Sequence, residues 1–385
     1  MKKTFLFATF LSVYSFVCIG AQQFDTKATH AYLIDYDTGD VLLEKNATEL
    51  IPPASMSKIM TVYILFEKIK SGQIKLDDKF HVSTNAWKKG GEKSGSSTMF
   101  LKPDSYVKVS DLIKGIMIQS GNDACITVAE NLAGSEENFA AEMTLRAREL
   151  GMEKSTFANA TGWPDDNHLM TAEELAFLAK KLMTDFPEFY SIYSQKSFKY
   201  NGINQENRNP LLYSMPDQAD GVKTGHTQKS GYALVGSAKS KDGKRRLILV
   251  VSGLKTQAER NSESKKIMEW GLREFNNYTI LKDGKILAQI PVWLGTQKTV
   301  GVVLDEDVKM TIHRLDKTKT KIQVSYDRPA QAPIAKGNKI ASLTITLPDG
   351  KSYRYPLKAA ENVEKISFWG KVGFILRSVF YGDDE

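Results

Sequence analysis

From residue 221 to residue 255 the chain reads GVKTGHTQKSGYALVGSAKSKDGKRRLILVVSGLK, three β-like runs with only turn residues between them. Lys241-Asp242-Gly243 separates the last two, and runs joined this tightly are most simply antiparallel neighbours. An earlier stretch, HAYLIDYDTGDVLLEKNA, reads as two more alternating strands that turn around Thr38 and Gly39. Helical periodicity lies between these two groups. Ile59, Val62, Leu65, Phe66 and Ile69 recur at three- and four-residue steps before Gly72, which marks a core-facing helix opening near Ser55. A second helical pattern runs from Asp111 to Leu132 and is interrupted by the polar turn QSGND. Helix and strand mix without a regular βαβ alternation, which predicts an α+β domain over residues 25–275.

After a closing helix read in WGLREFNNY the pattern changes. Runs such as TVGVVL, KIQVSY and SLTITL alternate between turn residues and predict a small all-β domain over residues 279–360. Over residues 363–381 it changes again: Glu364, Ser367, Lys371 and Ser378 share one narrow helical stripe, and apolar and aromatic residues cover most of the rest. No apolar run there approaches the ~18 to 20 residues needed to span a bilayer. The pattern fits an amphipathic helix lying in a membrane surface, and the other reading is a terminal helix docked on the β domain or on a partner.

The first residues, MKKTFLFATFLSVYSFVCIGAQQ, have two lysines, an apolar run and the small residues Gly20 and Ala21. This is the layout of a cleavable export signal over residues 1–21, with a retained membrane helix as the alternative. The chain has two cysteines, Cys18 and Cys125, so removing the signal leaves one thiol and no internal disulfide. Cys125 is read as a small buried side chain in a helix, with a nucleophilic role as the other possibility. A balance of 52 basic against 45 acidic residues does not resemble a nucleic-acid-binding surface. The five histidines are dispersed with no metal-ligand spacing, so neither a metal nor another cofactor is expected. Sequons at Asn46, Asn159 and Asn277 carry little weight where the exporting cell is bacterial.

A core helix needs no lysine in its first turn, yet Lys58 stands three residues after Ser55, on the same helix face. A serine hydroxyl is a poor nucleophile until a base takes its proton, and a lysine whose pKa has been lowered can do so. The spacing alone is weak, because Ser105 and Lys108, Ser252 and Lys255, and Ser262 and Lys265 repeat it. Only Ser55 opens an amphipathic helix, after Pro52-Pro53. SGN at residues 120–122 is also weak alone, since Ser83-Thr84-Asn85 matches its outline, whereas KTG at residues 223–225 occurs once. The ordered set S-x-x-K, S-x-N, K-T-G is far more specific than any one member.

With PPASMSK, SGNDAC and GVKTGHT in order, a β-rich module behind them and an amphipathic tail, the chain closely resembles the low-molecular-mass penicillin-binding proteins that are D-alanyl-D-alanine carboxypeptidases. The resemblance implies a penicillin-binding, β-lactamase-like catalytic domain with an antiparallel sheet flanked by helices. It implies an exported enzyme at the periplasmic face of the bacterial cytoplasmic membrane, held there by the C-terminal helix. Such an enzyme removes the terminal D-alanine of peptidoglycan pentapeptide stems through an acyl-enzyme on Ser55 and is acylated by β-lactams.

Carried onto this sequence, the resemblance makes Lys58 the base, desolvated and facing the second cation Lys223. It gives Ser120 the relay of a proton to the leaving amine, and Asn122 the positioning of the substrate amide. Asn122 otherwise reads as a turn-stabilising side chain. Lys223 and Thr224 suit the substrate's terminal carboxylate, and Gly225 leaves room for the substrate backbone along the strand. The backbone N–H groups of Ser55 and His226 form the oxyanion hole. Arg260 sits where the family has an arginine near the carboxylate pocket, or is a solvated surface charge. Glu173 and Glu174 in TAEELA read as first-turn helix charges rather than as a deacylating acid. The rival readings are a β-lactamase or endopeptidase on the same scaffold, and a non-catalytic penicillin-sensing or wall-binding protein.

Overall fold

The computed structural model of the chain describes residues 24–367. The early hairpin forms β1 (His30–Asp35) and β2 (Val41–Lys45). The three later runs form β3 (Ala219–Thr227), β4 (Gly231–Lys239) and β5 (Arg246–Leu254). All neighbours are antiparallel and the order is β2-β1-β5-β4-β3, which makes the KTG strand the outermost one on its side.

The central strand β5 shows why its sequence is a continuous apolar run. Leu247, Leu249 and Val251 enter one core, while Ile248 and Val250 enter the other, so both faces are covered. One face carries the helical layer α1 (Lys58–Lys70), α2 (Asn122–Ala133), α3 (Glu136–Leu150) and α4 (Ala172–Asp185). The other face is covered by α5 (Gln257–Glu274) through Ile267 and Met268. Helix α1 is the centre of the larger layer: every residue from Lys58 to Phe66 is buried, not only the stripe that its periodicity marks. Ser55 does not lie in α1 itself but in the 3-10 turn Ala54–Ser57 that leads into it. Helix α4 starts at Thr171, whose hydroxyl accepts from the Glu174 N–H at 3.0 Å, and Glu173 and Glu174 fill its first turn.

The helix expected to run through Tyr278 stops at Glu274, and Phe275–Leu281 forms the strand β6. The tertiary partner overrides local preference here, because β6 pairs along its length with β9 (Val308–His313). The other C-terminal strands are β7 (Ala288–Trp293), β8 (Thr299–Val303), β10 (Lys321–Ser325), β11 (Ala330–Gln331), β12 (Lys339–Thr346) and β13 (Ser352–Ala359). They make a six-stranded sheet of order β10-β12-β13-β8-β7-β11 around a separate core that includes Val300, Val302, Leu343, Ile345 and Leu357. At the junction between the two bodies, buried Asp35 accepts from Arg245 Nε at 2.7 Å and from Asn277 Nδ2 at 3.1 Å. Arg245 also donates to the carbonyls of Gly271 and Phe275, which ties α5, β6 and the catalytic sheet together.

Val363 and Lys365 bridge Ile334 and Gly295, so the chain is extended where the amphipathic helix over residues 363–381 was expected to begin. The remainder of that stretch, like the export signal over residues 1–21, lies outside the described residues. Among the described residues no helix is long and apolar enough to cross a membrane.

Candidate active site

A cleft of about 800 Å³ opens between the outer strand β3, the turn that carries Ser55, and the start of α2. Ser55, Ser120, Asn122, Thr224, Gly225, His226 and Arg260 all line it. The three sequence motifs, far apart in the chain, therefore converge on one space.

Lys58 lies fully buried beneath Ser55, with Nζ 2.8 Å from Ser55 Oγ. Nζ also donates to Asn122 Oδ1 at 2.8 Å and to the Thr161 carbonyl at 2.5 Å. Those two oxygens can only accept, so when the amine is neutral they take its two N–H bonds. The remaining valence, a lone pair, then faces the serine hydroxyl. Burial lowers the pKa of Lys58 to about 8, and Arg208 is the leading cation acting in the same direction. Loss of hydration is thus the main cause, and the second cation Lys223 is coupled to the same amine. Lys223 is itself buried and its pKa is lowered, first by burial and then by Lys58, and its Nζ donates to the Thr224 carbonyl at 3.1 Å.

Ser120 follows a short π-helical turn and has φ 68°, a left-handed conformation that a non-glycine residue adopts at some cost. That geometry breaks the helical pattern and sets the serine at the cleft wall. The hydroxyl is buried and makes no hydrogen bond among the described residues, which leaves it available to a substrate. Asn122 begins α2, and its backbone N–H donates to the Ser97 carbonyl at 2.7 Å. The next residue, Asp123, accepts from Thr98 Oγ1 and from the N–H groups of Met99 and Leu101. Through these bonds the SGN turn pins the segment that carries Ser96 and Ser97 along the opposite wall.

Gly225 lines the cleft along β3 and also has a packing role. A Cβ there would lie 3.0 Å from the Pro53 carbonyl oxygen and 3.2 Å from Ala54 Cβ, so it lets β3 approach the nucleophile's turn. The imidazole of His226 stacks on Tyr232 with ring centroids 3.9 Å apart, and burial, then Arg260, lowers its pKa. Arg260 is only 4% exposed, which excludes a solvated surface charge. Its guanidinium lies 5.8 Å from the Tyr232 ring centroid.

Two contributors were not legible in the sequence. Arg208 lines the cleft from an irregular segment and donates to Ser97 Oγ at 2.7 Å. The loop of Asn159 to Trp163 supplies the Thr161 carbonyl, and Gly162, at φ 77°, packs where a Cβ would meet the Ala54 carbonyl. Asn159 and Thr161 fit an Asx turn, a pattern that sequence could have offered. Cys125 is fully buried and its thiol is pushed up to about 12, mainly by burial, so it is no nucleophile. Glu206 is the single acidic residue among those lining the cleft, and it is exposed. Glu174 is engaged elsewhere, accepting from Ser155 Oγ and the Lys154 N–H.

Comparison with known proteins places the chain in a family. A family profile described as D-alanyl-D-alanine carboxypeptidase matches residues 18–256, and one described as the C-terminal domain of penicillin-binding protein 5 matches residues 275–365. The D-alanyl-D-alanine carboxypeptidase DacC of Escherichia coli is 42% identical over 343 residues, covering 88% of this chain and 85% of its own. The crystal structure of penicillin-binding protein 5 from Haemophilus influenzae superposes with a TM-score of 0.77 at 34% identity, covering 90% of this chain and 100% of that one. Penicillin-binding protein D2 from Listeria monocytogenes in its cefotaxime-bound form matches with a TM-score of 0.55 at 30% identity, over 64% of this chain and 97% of that one.

Proposed function

The chain belongs to the D-alanyl-D-alanine carboxypeptidase family, and on that basis we propose that it removes the terminal D-alanine of peptidoglycan pentapeptide stems through an acyl-enzyme on Ser55. The observation that carries this reading is the buried Lys58 amine, 2.8 Å from Ser55 Oγ and held from behind by two pure acceptors.

In the first step Ser55 Oγ bonds to the penultimate D-alanine carbonyl carbon while its proton passes to Lys58, and the carbonyl electrons move onto oxygen. The oxyanion sits between the N–H groups of Ser55 and His226, where developing charge is stabilised. Collapse of that intermediate breaks the C–N bond, and the proton passes from Lys58 by way of Ser120 to the departing D-alanine amine. Lys58 then deprotonates a water that attacks the ester and frees the shortened stem. Asn122 orients Lys58 and the substrate amide. Lys223, Thr224, Arg260 and Arg208 receive the terminal carboxylate at the cationic end of the cleft.

The shortage of cleft carboxylates favours a carboxypeptidase over a β-lactamase that uses an acidic residue to activate water. β-Lactams enter the same cleft and acylate Ser55 with slow release. The catalytic domain works outside the cytoplasm, and the C-terminal stretch holds it at the membrane surface.

The test is D-alanine release from a pentapeptide ending in D-Ala-D-Ala by the parent and by Ser55→Ala. Release by the parent alone supports the reading. Covalent penicillin binding through Ser55 without D-alanine release moves the endopeptidase or sensor reading ahead.

A further inference from the structure

The sequon at Asn159 has a structural explanation that leads to the catalytic base. Asn159 is buried, and its Oδ1 accepts from the Thr161 N–H at 3.1 Å, Thr161 Oγ1 at 2.9 Å, the Gly162 N–H at 2.8 Å and the Trp163 N–H at 3.1 Å. Its Nδ2 donates forward to the Trp163 carbonyl at 3.0 Å. One side chain thus closes a five-residue loop on itself. Outside the loop, the Ala160 carbonyl accepts from Thr61 Oγ1 of α1 at 2.8 Å, and Gly162 sits against Ala54 and Ser57. The loop is clamped to the nucleophile's turn and to the helix of the base, with the Thr161 carbonyl aimed at Lys58 Nζ.

We propose that Asn159 is a positioning residue for the base: by locking the loop it holds the Thr161 carbonyl on Lys58 Nζ and so keeps the amine's free valence directed at Ser55. The inference rests on the assignment of Lys58 as the base. A single remaining acceptor, Asn122 Oδ1, would let the amine rotate and share its lone pair among several directions. Reacting groups that lose alignment in this way lose rate steeply. The loss also touches basicity, because an acceptor oxygen binds an ammonium more strongly than a neutral amine. Lys223, Arg208, His168, Asp123, Glu136 and the Cys125 thiol also act on Lys58, Glu136 while accepting from the loop's own Ala160 N–H at 3.3 Å, and the variants below leave all of these side chains unaltered.

The experiment measures acylation of the full chain by a fluorescent penicillin as a function of pH, with thermal unfolding in parallel. The parent must label and Ser55→Ala must not; any other result fails the assignment of the site rather than the role of Asn159. In Asn159→Ala the plateau rate is expected to fall on the order of tenfold to a hundredfold. The ascending limb of its profile moves to lower pH, since the ammonium has lost an acceptor. Asn159→Asp keeps an oxygen for the loop donors, so its plateau is expected to stay near the parent's, while its added charge moves the limb to higher pH by itself. A purely structural role lowers the melting temperature and leaves the limb in place. A folded Asn159→Ala whose plateau lies within twofold of the parent's and whose limb superimposes overturns the proposal. If that variant does not fold, Asn159→Ser, whose shorter hydroxyl cannot reach all four loop donors, takes its place, and a plateau within twofold of the parent's with a superimposed limb overturns the proposal.

Discussion

Gly225 faces Pro53 so closely that a methyl in place of an α-hydrogen would stand 3.0 Å from the Pro53 carbonyl oxygen. The outer strand and the nucleophile's turn are therefore spaced by the absence of a side chain. Gly225→Ala forces the two apart by a few tenths of an ångström, against Met56 and Ala54 as well as Pro53. Overpacking of this kind costs about 1–3 kcal/mol in stability. Penicillin acylation is expected to fall on the order of tenfold in a protein that remains folded, because the strand and Ser55 no longer share one geometry. Acylation rates at parental level would show that the approach has no catalytic role.

As the proposed base, Lys58 should give the acylation rate its pH dependence. With the neutral amine acting as base and its pKa lowered to about 8, the rate is expected to rise as pH rises through about 8 and then level. Stopped-flow acylation across pH 6 to 10.5 tests the assignment, and a midpoint near the ordinary lysine value counts against it. Lys58→Ala is expected to abolish acylation. It also leaves Asn122 Oδ1 and the Thr161 carbonyl without their shared donor, at about 1–3 kcal/mol for each buried group.

His168 sets an acid limit on stability. It is buried beside Phe157, its Nδ1 accepts from the Ala158 N–H at 3.3 Å, and burial lowers its pKa from 6.5 to about 4. A histidine depressed in the fold binds its proton more readily when unfolded. The stability it allows is complete above pH 6.5 and is lost as pH falls toward 4, a total of about 3 kcal/mol. Urea unfolding of His168→Gln between pH 4 and 6.5 should show a flatter profile than the parent's; parallel profiles would remove His168 as the cause.

Asp35 is the hub of the domain junction. Besides Arg245 and Asn277, it accepts from the N–H groups of Asp37 and Thr38. Asp35→Ala strands a buried guanidinium, and breaking a buried pair from one side costs about 3–5 kcal/mol. The expected result is a lower urea midpoint with little change in the acylation rate of the folded protein. A fall in acylation matching the fall in stability would instead couple the junction to the cleft.

Much of the cleft was legible because its chemistry is written in short local patterns. The three-residue spacing of Ser55 and Lys58 survives the replacement of one helical turn by a 3-10 turn, since either conformation places them on one side. The polar turn after Gln119 announced a break, although not that Ser120 would take a left-handed conformation. Arg208 and the Thr161 carbonyl were hidden: one comes from an irregular segment, and the other is a backbone atom with no side-chain signature. Burial was also unreadable for Arg260, because a charged helix in sequence does not reveal which of its cations turns inward. The misplaced end of α5 has a similar origin. Phe275 to Leu281 becomes a strand because of β9, thirty residues later, and no local window contains that partner.

The place of β3 at the margin of its sheet has one more consequence. An uncovered strand offers a ladder of unpaired amides and carbonyls to any passing chain, and sheets left open in this way tend to stick to one another. Here the Ser55 turn and the loop from Asn159 stand as walls around the KTG segment. The strand edge that faces the cleft is thereby presented inside a recess rather than on an open surface. The walls that shape the cleft are thus also of the kind that keeps an open strand edge from pairing with a second sheet.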